Sequence, residues 1–382
     1  MEANMIGAYG PWAAGLVGDR VSELSFRHDR NQPEHLDAWK ARARERTFAC
    51  LLAPETGGTP KAQVQHRFEY DGLQIEHLSW QLPYGPPTEA YFLKPLGAEA
   101  RLPAVLGLHD HGGNKYFGTR KIIQVSDTLH PMMARHRGYY GGVSWANRLA
   151  KRGYAVLVHD SFTFGSRRVR VGDVPPVIRK GLKEINPESE KEIEAYNRFA
   201  ADHEHIMAKS LFCAGTTWPG IFLDEDRRAL DYLCSREDVD ASRVGCAGLS
   251  GGGLRTAYLG GLDDRIKCAC CVGMMTTWRD YLLNKSHTHT WMIYIPGIAN
   301  DLDYPEIYGL RVPLPTMILN DNDDQLFTLT EMKRADRILA EVFAKAGASE
   351  RYRCSYYPGP HKFDLPMQDE AFAWFDRWLK NA

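Results

Sequence analysis

Gly248-Leu249-Ser250-Gly251-Gly252 constrains this chain more than any other five residues. It reads Gly-x-Ser-x-Gly. A strand-like run, Ser242 to Ala247, precedes it, and a helix-like run, Gly253 to Leu259, follows. That order predicts a sharp strand-to-helix turn with the serine at its apex in a strained backbone conformation. The hydroxyl then projects above the sheet edge, and a helix N-terminus lies behind it. Glycines flank the serine because larger side chains there would collide with the neighbouring strand or helix.

The surrounding pattern fits such a turn. From Leu102 onward, apolar runs alternate with helical segments. Pro103–Leu108, Tyr154–Val158, Val244–Ala247, Ile266–Val272, Pro315–Leu319 and Tyr352–Tyr357 read as strands. Gly142–Arg152, Phe222–Ser235 and Gln368–Leu379 read as helices. Continuous apolar runs suit strands buried on both faces, so the fold class expected is α/β with a mainly parallel central sheet flanked by helices. Upstream, Ala62–Tyr70, Leu73–Leu82 after an Asp71-Gly72 turn, and Thr88–Lys94 read as further strands. Residues 1–60 read as a helical extension, with a helix over Pro33–Thr47, and 61–382 as the main domain. A polar helical stretch, Asn186–Cys213, interrupts the rhythm inside an insertion at about 166–220. Insertions at the carboxyl end of a strand often form a cap, so Phe212, Trp218 and Phe222 are expected in a pocket wall, with the extension packed on the cap or on a second subunit.

Composition narrows the partners. A net charge of −1 over 382 residues provides no basic field for nucleic acid or an anionic membrane surface. No run of 18 apolar residues predicts a membrane span, and the N-terminus lacks the basic start of a signal peptide. The eight cysteines lack metal-type spacing; Cys268, Cys270 and Cys271 read as buried thiols, which suits a reducing, cytoplasmic setting. No cofactor is expected. A homo-oligomer is left open.

A serine hydroxyl becomes a nucleophile when a neutral imidazole takes its proton and a carboxylate orients that imidazole. Two loops at strand ends offer the partners. Asn320-Asp321-Asn322-Asp323-Asp324 follows one strand, and Gly359-Pro360-His361 follows the last. His361 is the expected base and Asp324 the expected acid, with Asp321 and Asp323 as alternatives in the same loop. The oxyanion needs backbone donors. The N–H of Gly251 is one, and the N–H of His111 or Gly112, in the loop His109-Asp110-His111-Gly112-Gly113, is the other. His109 with His111, and His287 with His289, have no further ligands at metal spacing, so no metal site is expected. His287 and Trp291, with Trp218 and Phe222, are the expected substrate-pocket residues.

Gly248–Gly253, His109–Gly113, Asp324–Phe327 and Gly359–His361 together resemble the α/β-hydrolase superfamily, and within it the dienelactone hydrolase and acetyl xylan esterase-like branch. Two positions depart from that pattern: Asp110 stands where a glycine is usual after the first histidine of the oxyanion loop, and Asp321 where a glycine is usual three before the acid. The resemblance implies a serine hydrolase acting on a small carboxylic ester, with a short acyl group such as acetyl, on a sugar or another small molecule. A peptidase or amidase, or a C–C hydrolase or lyase, would use the same residues. A non-enzymatic binding protein is disfavoured because both the serine and the histidine are in place.

Overall fold

The computed structural model describes residues 3–17 and 21–380. Residues 1, 2, 18–20, 381 and 382, which the expected extension and main domain include, lie outside the described residues.

One nine-stranded sheet organises the chain, in the order β1-β2-β3-β5-β4-β6-β7-β8-β9. The strands are β1 (Gln63–Tyr70), β2 (Leu73–Trp80), β3 (Thr88–Pro95), β4 (Leu102–Leu108), β5 (Ala155–His159), β6 (Val239–Leu249), β7 (Ile266–Val272), β8 (Thr316–Asp321) and β9 (Tyr352–Tyr357). The first three form an antiparallel meander, and β3 also pairs antiparallel with β5. From β5 through β4 to β9 every pairing is parallel. The apolar runs are buried on both faces because helices cover both. Along β7, Cys268 and Cys270 face one core and Cys271 faces the other.

Several boundaries differ from the sequence expectation for local reasons. The helix expected from Phe222 begins at Trp218, because the Thr217 side chain accepts from the Gly220 N–H and Pro219 occupies the first turn. The helix expected from Gly142 begins at Trp145, since Gly141 and Gly142 both take positive φ. The strand leading to Ser250 is longer than Val244–Ala247 and runs from Val239.

The N-terminal segment is no appendage. Its helix Leu36–Leu51 places Trp39 and Leu51, both essentially unexposed, in the main core. Arg44 pairs bidentately with Asp264 at 2.7 and 2.6 Å. This segment therefore packs on the helices that cover the sheet, and it meets the expected insertion at its far end, where the Thr216 and Thr217 hydroxyls donate to the Leu52 and Leu51 carbonyls. Among the described residues no helix is long and apolar enough to cross a membrane.

Candidate active site

Ser250 lies between β6 and the helix Gly251–Leu262, with φ 58° and ψ −119°. A side chain is rarely held in this region, and the strain implies tight surroundings. Those surroundings are backbone: a Cβ on Gly248 would lie 2.3 Å from the Leu108 carbonyl oxygen, and one on Gly252 would lie 2.1 Å from the same atom. The two glycines let β4 approach the turn and hold the serine at its apex.

His361 follows β9, in the loop beyond Gly359. Its Nδ1 lies 2.6 Å from Asp324 Oδ2, and Asp324 Oδ1 accepts from the Leu326 N–H at 2.9 Å. Asp324 is buried, and His361 is mostly so. An imidazole N–H donating from Nδ1 leaves Nε2 as a proton acceptor. His361 Nε2 is buried without a hydrogen-bond partner, and no hydrogen bond joins it to Ser250. Such contacts are commonly long before substrate is bound. The two residues line one cavity of about 310 Å³.

The other two aspartates of the loop do different things. Asp323 is exposed, and its Oδ2 accepts from the Gly359 N–H at 2.9 Å, tying the two loops together. Asp321 is buried; its Oδ2 accepts from the Lys362 N–H at 3.1 Å, and its Oδ1 has no partner. Burial pushes its carboxyl up to about 7. Neither is bonded to the imidazole.

The loop after β4 forms the opposite wall. A Cβ built on Gly251 would lie 3.0 Å from the His111 nitrogen, so these two backbone groups adjoin. The His111 N–H donates to no group among the described residues. Gly112, at φ 51°, passes so close to Asp110 and His136 that a Cβ would lie 2.4 Å from atoms of each. Asp110, standing where the resembled family has glycine, is buried and carries a carboxylate. Against the upward push of burial, His136, Lys121 and the Tyr140 hydroxyl hold that carboxyl well below its usual range. His136 Nε2 lies 3.1 Å from Asp110 Oδ1, and Tyr140 donates to the same oxygen.

Of the four expected pocket residues, Trp218 and Phe222 are placed elsewhere and do not line the cavity. Both are core residues, packed against each other, with Phe162 on Trp218 and the Arg255 guanidinium 5.7 Å from the Phe222 ring. Their helix covers the sheet, so its apolar side faces inward. Phe212 is exposed. The cavity wall expected from Phe212, Trp218 and Phe222 is supplied instead by Thr288, His289, Thr290, Met292 and Ile293. His289 Nε2 lies 2.9 Å from the Leu326 carbonyl, and burial pushes the imidazole down to about 4, so it is neutral.

His287 and Trp291 line a second, wider groove of about 960 Å³, which shares Thr288, His289 and Thr290 with the first. The insertion helix Glu190–Cys213 forms its far side. That helix also grips the loop after β4: Glu204 Oε1 lies 3.1 Å from His111 Nε2 and 2.6 Å from Lys115 Nζ, and Asn197 Oδ1 accepts from the Lys115 and Tyr116 N–H groups.

Two residues that sequence reasoning missed sit directly at this site. Gly273, at the end of β7, has φ 56°, and a Cβ there would lie 2.9 Å from His361 Cε1 and 3.1 Å from its Nδ1. Lys121 is fully buried behind the loop after β4. Nothing in the local sequence marks either residue. The His361 ring that fills the space beside Gly273 comes from a segment distant in the chain, and the carbonyls bonded to Lys121 reach it by the loop after β4 folding back.

Comparison with known proteins agrees with this architecture. Residues 223–315 match the prolyl oligopeptidase family. That stretch contains Ser250 but neither Asp324 nor His361. The chain is 29% identical over 308 residues to "Putative hydrolase YtaP" of Bacillus subtilis (strain 168), covering 80% of this chain and 88% of that one. Among solved structures it resembles a "putative acetyl xylan esterase" from Bacteroides fragilis NCTC 9343, with a TM-score of 0.65 at 16% identity over 92% of this chain and 83% of that one. It also resembles a glucuronoyl esterase from Solibacter usitatus, with a TM-score of 0.59 at 14% identity over 89% and 93%. The fold is that of the α/β-hydrolase superfamily.

Proposed function

We propose that the protein is a serine hydrolase of small carboxylic esters, working through an acyl-enzyme. The observation that carries this reading is the convergence of Ser250 and the Asp324–His361 pair on one cavity. Ser250 Oγ attacks the ester carbonyl carbon as His361 Nε2 takes its proton. Asp324 holds the Nδ1–H tautomer and stabilises the imidazolium. The oxyanion is received by the N–H groups of Gly251 and of His111 or Gly112. Collapse breaks the bond to the alkoxy oxygen, which His361 protonates, and the alcohol leaves. Water, deprotonated by His361, then attacks the acyl-serine. The acid departs and Ser250 regains its proton.

The small cavity suits a short acyl group such as acetyl. The wider groove beyond His289 suits the alcohol, and its mixed lining, with Asp202, His203 and His287 among apolar groups and the Trp291 ring, fits a sugar or a similar polyhydroxylated leaving group. The putative acetyl xylan esterase among the structural neighbours points the same way. The prolyl oligopeptidase match favours a second reading, a peptidase or amidase using the same residues.

A panel of p-nitrophenyl esters of increasing acyl length, run beside matched anilides, separates the two readings. Acetate and propionate should be cleaved fastest and anilides hardly at all. Ser250→Ala should fold normally and lose at least about 10⁴-fold in kcat. A fluorophosphonate should label the wild type at Ser250. Preferential anilide cleavage would establish the second reading, and an active Ser250→Ala enzyme would end both.

A further inference from the structure

We infer that Lys121 is a positioning residue for oxyanion stabilisation: its ammonium clamps the two consecutive peptide groups whose N–H ends face Ser250. This inference rests on the ester hydrolase reading above. Lys121 Nζ donates to the Asp110 carbonyl and to the His111 carbonyl, each at 2.8 Å. The Asp110 carbonyl belongs to the same planar trans peptide unit as the His111 N–H, so the two point in opposite directions. Holding the carbonyl on Lys121 therefore turns the His111 N–H away from it. The His111 carbonyl and the Gly112 N–H stand in the same relation. The His111 nitrogen adjoins Gly251, the residue after the serine. Each carbonyl also has a second partner, His109 Nδ1 at 3.0 Å from the Asp110 oxygen and the Asn114 N–H at 3.1 Å on the His111 oxygen, and Lys121 is the group bonded to both, so its ammonium ties the two candidate donors together from behind.

The clamp is also electrostatic. A cation on a carbonyl oxygen draws electron density through the amide and strengthens its N–H as a donor, and burial amplifies the effect. The Lys121 side chain is fully buried, and its nearest carboxylate oxygen, Asp110 Oδ2, is 3.9 Å away, farther than either carbonyl. The Phe164 ring centroid lies 4.7 Å from the ammonium. Asp110, His109, His111 and Lys115 face it from the loop after β4, Asp160 from the end of β5, and Arg255 from the helix after Ser250. Burial pushes the ammonium down to about 8 against the attraction of Asp110 and Asp160, while Lys115 and Arg255 push it the same way as burial. Deprotonation leaves two N–H donors on the amine. The loop keeps its shape in that state and loses the polarisation.

The test is the pH dependence of kcat and KM for p-nitrophenyl acetate between pH 6 and 10, with spontaneous hydrolysis subtracted, for the wild type and Lys121→Met. Methionine retains the length of the side chain and removes both donors and charge. The wild-type kcat should fall on the alkaline side with an apparent pKa near 8. Lys121→Met should lose about 10–100-fold in kcat with KM within a few-fold, and its alkaline fall should vanish. A Lys121→Met enzyme with kcat within threefold of wild type overturns the inference, as does one that keeps the alkaline fall. If near-UV circular dichroism shows that Lys121→Met does not fold, Lys121→Arg, which keeps donors and charge throughout this pH range, decides: loss of the alkaline fall upholds the inference, and an unchanged fall overturns it. Ser250→Ala separates this inference from the reading beneath it. If that variant stays active the reading itself fails. If it is inactive while Lys121→Met is normal, only the Lys121 assignment fails.

Discussion

Gly273→Ala is the most searching perturbation of the candidate site, because it changes one hydrogen into a methyl group and adds no polar atom. Two costs follow from the geometry. The backbone at φ 56° is left-handed, which costs a residue with a Cβ about 1–2 kcal/mol. The new Cβ would also meet His361 Cε1 at 2.9 Å, Leu249 Cδ1 at 3.0 Å and His361 Nδ1 at 3.1 Å. Carbon contacts are comfortable at about 3.5–4.0 Å, so each separation must open by roughly 0.5–1 Å. The Leu249 methyl group can swing aside at about 0.5–1.5 kcal/mol of rotamer strain. The imidazole cannot move so cheaply, because the atoms being pushed include the Nδ1 that holds Asp324 at 2.6 Å. Any shift of that edge stretches the bond and carries Nε2 with it. A misplacement of about 1 Å at a reacting group costs on the order of 10²-fold, so kcat should fall by roughly 10–100-fold. The melting temperature should drop by only a few degrees. Hydrolysis of p-nitrophenyl acetate, the rate of fluorophosphonate labelling and a thermal melt measure all three quantities. A variant with a lowered melting temperature but kcat within twofold of wild type would refute the reasoning, since the strain would then be taken up entirely by Leu249 and the backbone.

Other substitutions divide the site in the same way. Asp324→Asn should lower kcat by about 10⁴-fold by favouring the wrong imidazole tautomer, whereas Asp323→Asn, which touches only the Gly359 N–H, should cost less than about tenfold; steady-state kinetics would decide. Asp321 has a folded-state pKa of about 7, raised by burial above the usual carboxylate value. The stability linked to its proton is complete below the unfolded pKa near 4 and is lost as pH rises through 7. Asp321→Asn removes that loss, so its melting temperature relative to wild type should climb between pH 4 and 7.5 and level off above; a gap that does not change with pH would contradict this. Trp218→Ala should destabilise the fold by about 3–5 kcal/mol, as a cavity in the core does, with acyl preference retained, while Trp291→Ala should weaken turnover of bulky alcohol esters more than that of a small acetate. Chemical denaturation and a substrate panel would show whether the two tryptophans behave oppositely.

The sequence by itself determined what is local. A Gly-x-Ser-x-Gly run between an apolar strand and a helix leaves one conformation open to the chain, and Ser250 adopts it at φ 58°. The alternation of apolar strands with helices likewise determined a parallel sheet, since only burial on both faces suits such runs. His361 was legible because a Gly-Pro-His loop at the end of the last strand has few other uses. Tertiary structure decided everything that depends on two distant segments meeting. Three aspartates share one loop, and only the packing of that loop against the one after β9 brings Asp324, and not Asp321 or Asp323, to the imidazole. Trp218 and Phe222 have the apolar bulk of pocket residues, and the rotation of their helix on the sheet put them in the core. Lys121 and Gly273 carry no motif at all. Lys121 matters because two carbonyls ten and eleven positions earlier fold back onto its ammonium, and Gly273 because the ring of His361 occupies the space a side chain would need. Backbone strain and hydrophobic period are written residue by residue, whereas which polar groups meet in a buried space is settled only once the whole sheet has closed.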